Sequence, residues 1–162
     1  FAPIEGLRIG YNAAYTKTAL TSLVSTAIII PPPYLTGYQL PGVPKFSAGA
    51  TIDYNWPAFG QWRANVGAGV RYVSKEYVSP PSIQGLPTSL LNTQDPSYAT
   101  ADVRAGLSND RFQVNLFVRN LTDNRVYTNQ NAIQDGLTGG VNGILAVPIT
   151  PRVIGVSVDA KF

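Results

Sequence analysis

Six stretches of the chain alternate apolar and polar residues, and no stretch carries a sustained helical period. The alternation predicts strands over 7–16, 46–54, 62–72, 99–108, 112–119 and 153–162. In the third, one face reads Trp62, Ala64, Val66, Ala68, Val70, Tyr72, and in the last Ile154, Val156, Val158, Ala160, Phe162. The first, second, fourth and fifth strands repeat this: Leu7 to Tyr15, Phe46 to Tyr54, Ala99 to Leu107 and Phe112 to Val118, taking every second residue. No charged residue falls on that face. The opposite face holds Gly, Ser, Asn and Thr together with Asp53, Arg63, Arg71, Asp102, Arg104, Arg119 and Asp159. Its exceptions are Ala14, Phe117 and Val153.

Alternation alone also suits a soluble β-sandwich, whose apolar face turns inward. The connections argue otherwise. Those at 55–61 and 109–111 are short, those at about 17–45, 73–98 and 120–152 are long, and the two kinds alternate. All the long connections therefore leave one end of the sheet, as in outer-membrane barrels. The aromatic residues agree. Trp62 and Tyr72 lie on one face at the two ends of one strand. At roughly 3.3 Å per residue and a tilt of roughly 40°, they stand roughly 25 Å apart along a membrane normal, the height of a barrel's apolar band. Tyr54, Trp62 and Phe112 are expected in an interfacial girdle at the short-turn end, and Tyr72 in one toward the long-connection end. These seven named charged residues are expected to line a lumen as a ladder of ion pairs between neighbouring strands.

Composition narrows the chemistry. Only 13% of residues are charged, about half the usual share of a soluble domain. The net charge of +3 is small and scattered, so no nucleic-acid partner is expected. The longest apolar run, "ALTSLVSTAIII" (19–30), ends in three prolines and is too short for a transmembrane helix. The chain has no Cys, Met or His, which removes thiolate metal sites and the commonest general base. Carboxylates scattered over separate strands give no catalytic or metal constellation, and no cofactor is expected. "GLTGGVNG" (136–143) lacks the Lys-Ser/Thr of a phosphate loop. Tyr34, Tyr38 and Tyr77, on the long connections, are candidates for a ligand-contact surface.

The runs "LPGVPKFSAGATIDY" (40–54), "QWRANVGAGVRYVSKEY" (61–77), "YATADVRAGLSNDRFQVNLFVRNLTDNRVY" (98–127) and "PRVIGVSVDAKF" (151–162) occur in that order. Together they resemble the C-terminal barrel strands of TonB-dependent outer-membrane receptors. The carrying elements are Leu40-Pro41-x-Val43-Pro44, Asn120-Leu121-x-Asp123-x-x-x-Tyr127 and the opening Pro151-Arg152 of the last strand. The resemblance implies an all-β fold of antiparallel up-and-down transmembrane strands, about six of a larger barrel. It implies a C-terminal piece beginning near a periplasmic turn at "FAPIEG", with a plug domain and earlier strands elsewhere. It further implies outer-membrane lipid around the wall, TonB and a small nutrient such as a ferric siderophore as partners, and recognition of a terminal aromatic, Phe162, by the barrel-assembly machinery. A porin-like barrel and a soluble all-β binding module are the alternatives.

Overall fold

The computed structural model describes residues 4–19, 21, 37, 39–78, 94–134 and 141–161. Among the described residues ten strands follow in chain order: β1 (Leu7–Tyr15), β2 (Phe46–Phe59), β3 (Trp62–Val73), β4 (Glu76–Tyr77), β5 (Gln94–Asp95), β6 (Tyr98–Ser108), β7 (Phe112–Arg119), β8 (Tyr127–Gln134), β9 (Val141–Pro148) and β10 (Val153–Ala160). The six predicted strands are β1, β2, β3, β6, β7 and β10. They form one antiparallel sheet in that order, each beside its predecessor among the six. The sheet is open, with β1 and β10 as its edges.

Register carries the alternation across all six strands. Ile9 faces Ile52, Ile52 faces Ala68, and Ala68 faces Val103. Val103 faces Val118, which faces Ile154. A slip of one residue would mix the faces, because side chains alternate with period 2. The apolar face is uncovered: Tyr11 is 84% exposed, Ile154 74% and Leu116 60%. Among the described residues only Ala64 and Val73 are buried hydrophobics. The β8–β9 hairpin packs against β5 rather than over this face. A sandwich needs a second layer there, and none of the described residues supplies one. The strands thus compose a single-layer wall, a partial β-barrel.

β2 outruns its predicted end at Tyr54 by five residues, and the short turn shrinks to Gly60–Gln61. Pro57 disguised the extension, since proline lacks the ladder donor. It sits where the register slips between Pro57 and Phe59. The extra residue reverses parity, so Phe59 lies opposite Trp62 on the apolar side and their rings come within 6.3 Å. The other short turn is closed by Asn109, whose Oδ1 accepts from the N–H of Arg111 (2.9 Å) and of Phe112 (2.7 Å).

Two of the long connections carry strands of their own. The second contains β4 paired with β5, and the third contains the β8–β9 hairpin.

Candidate functional site

The polar face of the sheet and the segments at its long-connection end hold nearly all the charged side chains predicted to matter. In the middle of that face, Asp53 on β2 and Arg104 on β6 form an ion pair. The pair spans the intervening strand β3, because Gly67 lies opposite both residues. A Cβ on Gly67 would stand 2.3 Å from Asp53 Oδ1 and 3.0 Å from Arg104 Nε. The glycine leaves the floor on which the pair lies. Phe117, the apolar exception on this face, packs over Gly155, where a Cβ would come within 2.5 Å of its ring. The Arg119 guanidinium sits 5.1 Å from that ring's centre.

The expected ladder of ion pairs between neighbouring strands is not what forms. Among the described residues Asp53–Arg104 is the one ion pair on the face. Asp102 instead accepts the Asn120 backbone N–H at 2.8 Å. Arg63 and Arg71 make no ion pair or hydrogen bond among the described residues, and Asp159, opposite Gln113, is exposed. Strand spacing explains this. Of these charges only Asp53 has an opposite charge as a direct cross-strand neighbour, Arg8 on β1, and the others face Ser108, Thr100, Gln113, glycines or apolar residues.

At the long-connection end, β7 leaves β6 through a clasp built on Asn120. This residue adopts φ +49° and is 3% exposed. Asn tolerates that left-handed conformation better than most residues. Its Nδ2 donates to the carbonyls of Asn124 and Thr150, both at 2.9 Å, and its Oδ1 accepts from Asn124 N–H at 3.0 Å. Leu121 N–H and Asn124 Nδ2 continue along the β6 edge, donating to the carbonyls of Ala101 (2.6 Å) and Ala99 (3.1 Å). Asp123, also at positive φ, accepts from Arg125 at 3.0 Å and from the backbone N–H of Arg152 at 3.2 Å. The Arg152 guanidinium approaches it to 3.4 Å. The Arg125 hydrogen bond, then the Arg152 N–H, lower the Asp123 carboxyl below the ordinary value. One segment thereby ties β6, β7 and the start of β10. The sequence marked Asn120, Asp123 and Arg152 as a pattern; that they touch was legible only in the fold.

Sequence reading missed a second tie. Asp95 is 2% exposed, and its carboxylate accepts the N–H groups of Asn129 (2.6 Å) and Gln130 (3.3 Å). Both amides lie where the β8–β9 register shifts, between Thr128 and Asn131. Glu76 lies opposite Asp95, and partial burial, then the Asp95 charge, raise its carboxyl above the ordinary value. No sequence signal distinguishes Asp95 from any surface aspartate.

The predicted aromatics share the apolar face by register. Tyr54 stacks on Trp56 at 5.2 Å, Phe46 and Tyr72 meet at 6.1 Å, and Phe112 lies opposite Ala160. Tyr54 faces Val66, four residues up β3 from Trp62, so it stands further from the short turn than expected. Trp56 and Phe59 join Trp62 there, on a stretch of β2 that Pro57 hides from the alternation. Tyr77 is half-buried, and its carbonyl accepts from Gly42 N–H at 2.7 Å. Tyr34, Tyr38 and Phe162 lie outside the described residues.

The family model described as TonB dependent receptor-like, beta-barrel matches residues 4–121, from before β1 to the Asn120 clasp. No curated protein and no solved structure matches the chain.

Proposed function

We propose that this chain, which belongs to the TonB dependent receptor-like β-barrel family, is part of the wall of an outer-membrane receptor that takes up a scarce nutrient such as a ferric siderophore. The observation that carries the reading is the uncovered apolar face, kept in register over six strands with aromatics toward both ends. In water such a face would be left without a partner. Against lipid it is the solvent-matched side. The open edges β1 and β10 need strands to complete them, because unpaired backbone groups in hydrocarbon cost several kcal/mol each.

The wall's part in uptake follows from its chemistry. The outward side chains anchor the strands in the bilayer, and the inward polar side chains face whatever passes or fills the lumen. The clasp and the Asp95 tie position the long connections, where Tyr77 belongs to a candidate ligand-contact surface with Tyr34 and Tyr38. A plug domain and TonB act through the rest of the receptor, and the barrel-assembly machinery inserts the finished wall.

The test is to express the full-length gene product and follow two properties. The expected protein fractionates with the outer membrane, needs detergent to stay monodisperse, and supports growth when a ferric siderophore is the iron source. A monodisperse, cooperatively folding protein without detergent would contradict the membrane assignment. A membrane-inserted protein whose deletion leaves uptake of every ferric chelate unchanged would contradict the nutrient assignment alone.

A further inference from the structure

The positive charges of the polar face are unevenly neutralised. Asp53 is paired with Arg104, while Asp102 accepts only the neutral backbone N–H of Asn120 and keeps its charge, so two guanidinium charges stand against one carboxylate at this end of the face. Arg71 on β3 and Arg119 on β7 keep no ion-pair or hydrogen-bond partner among the described residues, and both are exposed. They line one hollow of about 430 Å³ with Tyr98, Thr100, Asp102 and Asn120, a volume in the range of small-molecule sites. Two inter-strand steps separate β3 from β7, so their backbones stand roughly 10 Å apart. That gap is one two long guanidinium side chains close around a single small ligand.

We propose that this hollow is an anion subsite of the receptor, holding the carboxylate or phosphate-like oxygens of a small, multiply charged ligand between Arg71 and Arg119. The proposal rests on the polar face being a barrel's inner wall. Three observations favour this end of the wall. Arg119 is held against the Phe117 ring, which presents its guanidinium without neutralising it. Tyr98 and Thr100 add hydroxyl groups beside the two forks. The hollow also adjoins the Asn120 clasp, so its rim is fixed by hydrogen bonds rather than left to a loose connection. Arg8 and Arg63 line a smaller hollow of about 330 Å³ toward the short turns, and Arg8 there lies directly opposite Asp53. Bidentate pairing of arginine with planar or tetrahedral oxyanions supplies the affinity.

The test uses the full-length receptor in detergent micelles, titrated calorimetrically with inorganic pyrophosphate, with sucrose as a neutral control. Wild type is expected to bind pyrophosphate, more weakly as salt rises, and to ignore sucrose. Arg71→Gln with Arg119→Gln should weaken binding about tenfold or more, and each single change about threefold. Arg8→Gln with Arg63→Gln should stay within about twofold. If the double glutamine variant fails to insert, Arg71→Lys with Arg119→Lys keeps both charges and should bind more weakly than wild type but more tightly than either protein binds sucrose. Equal binding by wild type and the double variant, or no pyrophosphate binding by wild type, would overturn the proposal. A double variant that only loses thermal stability, with neither protein binding pyrophosphate, would assign these arginines to an acidic segment of the receptor instead. Failure of the wall reading is seen separately, as a receptor monodisperse without detergent.

Discussion

The six-stranded wall and the layer at its long-connection end are built by different means. The wall is held by backbone ladders whose register repeats one rule from β1 to β10, apolar opposite apolar and polar opposite polar, broken at a few places such as Phe117 opposite Arg104 and Val153 opposite Arg119. The end layer has short ladders, and single side chains join its pieces: Asn120, Asp123 and Asp95 each accept or donate two or more hydrogen bonds that tie separate segments together. Redundancy is the lesson. In the wall no single side chain sets the fold, so most changes matter through which medium they face. In the end layer one polar side chain carries several bonds, so its loss is felt locally and sharply.

The largest expected effect breaks the wall on one parity only. Val70→Arg, in the assembled receptor, should cost about 2–4 kcal/mol if that side chain meets the bilayer midplane. Asn65→Arg, on the opposite face of the same strand, should cost clearly less. Denaturant-induced unfolding in lipid vesicles reads both, and equal costs would mean that the two faces meet the same medium.

Next comes the clasp. Asn120→Ala removes the side-chain bonds to Asn124 and Thr150 and places an alanine at positive φ, for a local cost of about 1–3 kcal/mol. Hydrogen exchange should quicken over 120–126 and 149–152 while the β2–β3 amides keep their protection. Asn120→Gly relieves the backbone but not the bonds, and should recover only part of the protection. Uniform loss across the wall would erase the distinction between the two regions.

The smallest effects concern pH, and the two end-layer carboxylates respond with opposite signs. Asp123 is held below the ordinary carboxylate value, so its contribution is complete above that value and is lost as pH falls through the lowered one. Glu76 is raised, so the fold favours its protonated form and loses stability as pH rises from the ordinary value through the raised one. Amide exchange at β4 and β5, corrected for intrinsic rates, should therefore speed up as pH rises through that window, and Glu76→Gln should flatten the response. A change of the same sign in Asp123→Asn and Glu76→Gln would refute the assignment of causes.

How much the sequence revealed follows the same division. The strands, their order of faces and the long–short alternation of connections were legible because period 2 is repeated many times and register is strict. Pro57 hid the end of β2, and with it Trp56 and Phe59, since a proline inside a strand pattern normally ends it. The ion-pair ladder was expected from parity alone, but parity does not say which charges are level with each other. Gly67 decides that by letting Asp53 reach across a strand to Arg104. The Asp95 tie was invisible, because it depends on a register shift at Asn129 and Gln130 that no local residue preference announces.

The central claim, that one face of this sheet meets lipid and the other an aqueous lumen, has a direct measurement. This chain contains no cysteine, so once any cysteine elsewhere in the full-length receptor is replaced by serine, single cysteines placed along β3 from Ala64 to Arg71 report without background. Each is then challenged in intact outer membranes with a water-soluble thiol reagent and with a lipid-soluble one. A bilayer-facing wall gives a two-residue alternation: positions 64, 66, 68 and 70 react with the lipid-soluble reagent, and 65, 67, 69 and 71 with the water-soluble one. Labelling without alternation, or with the parities reversed, would contradict it.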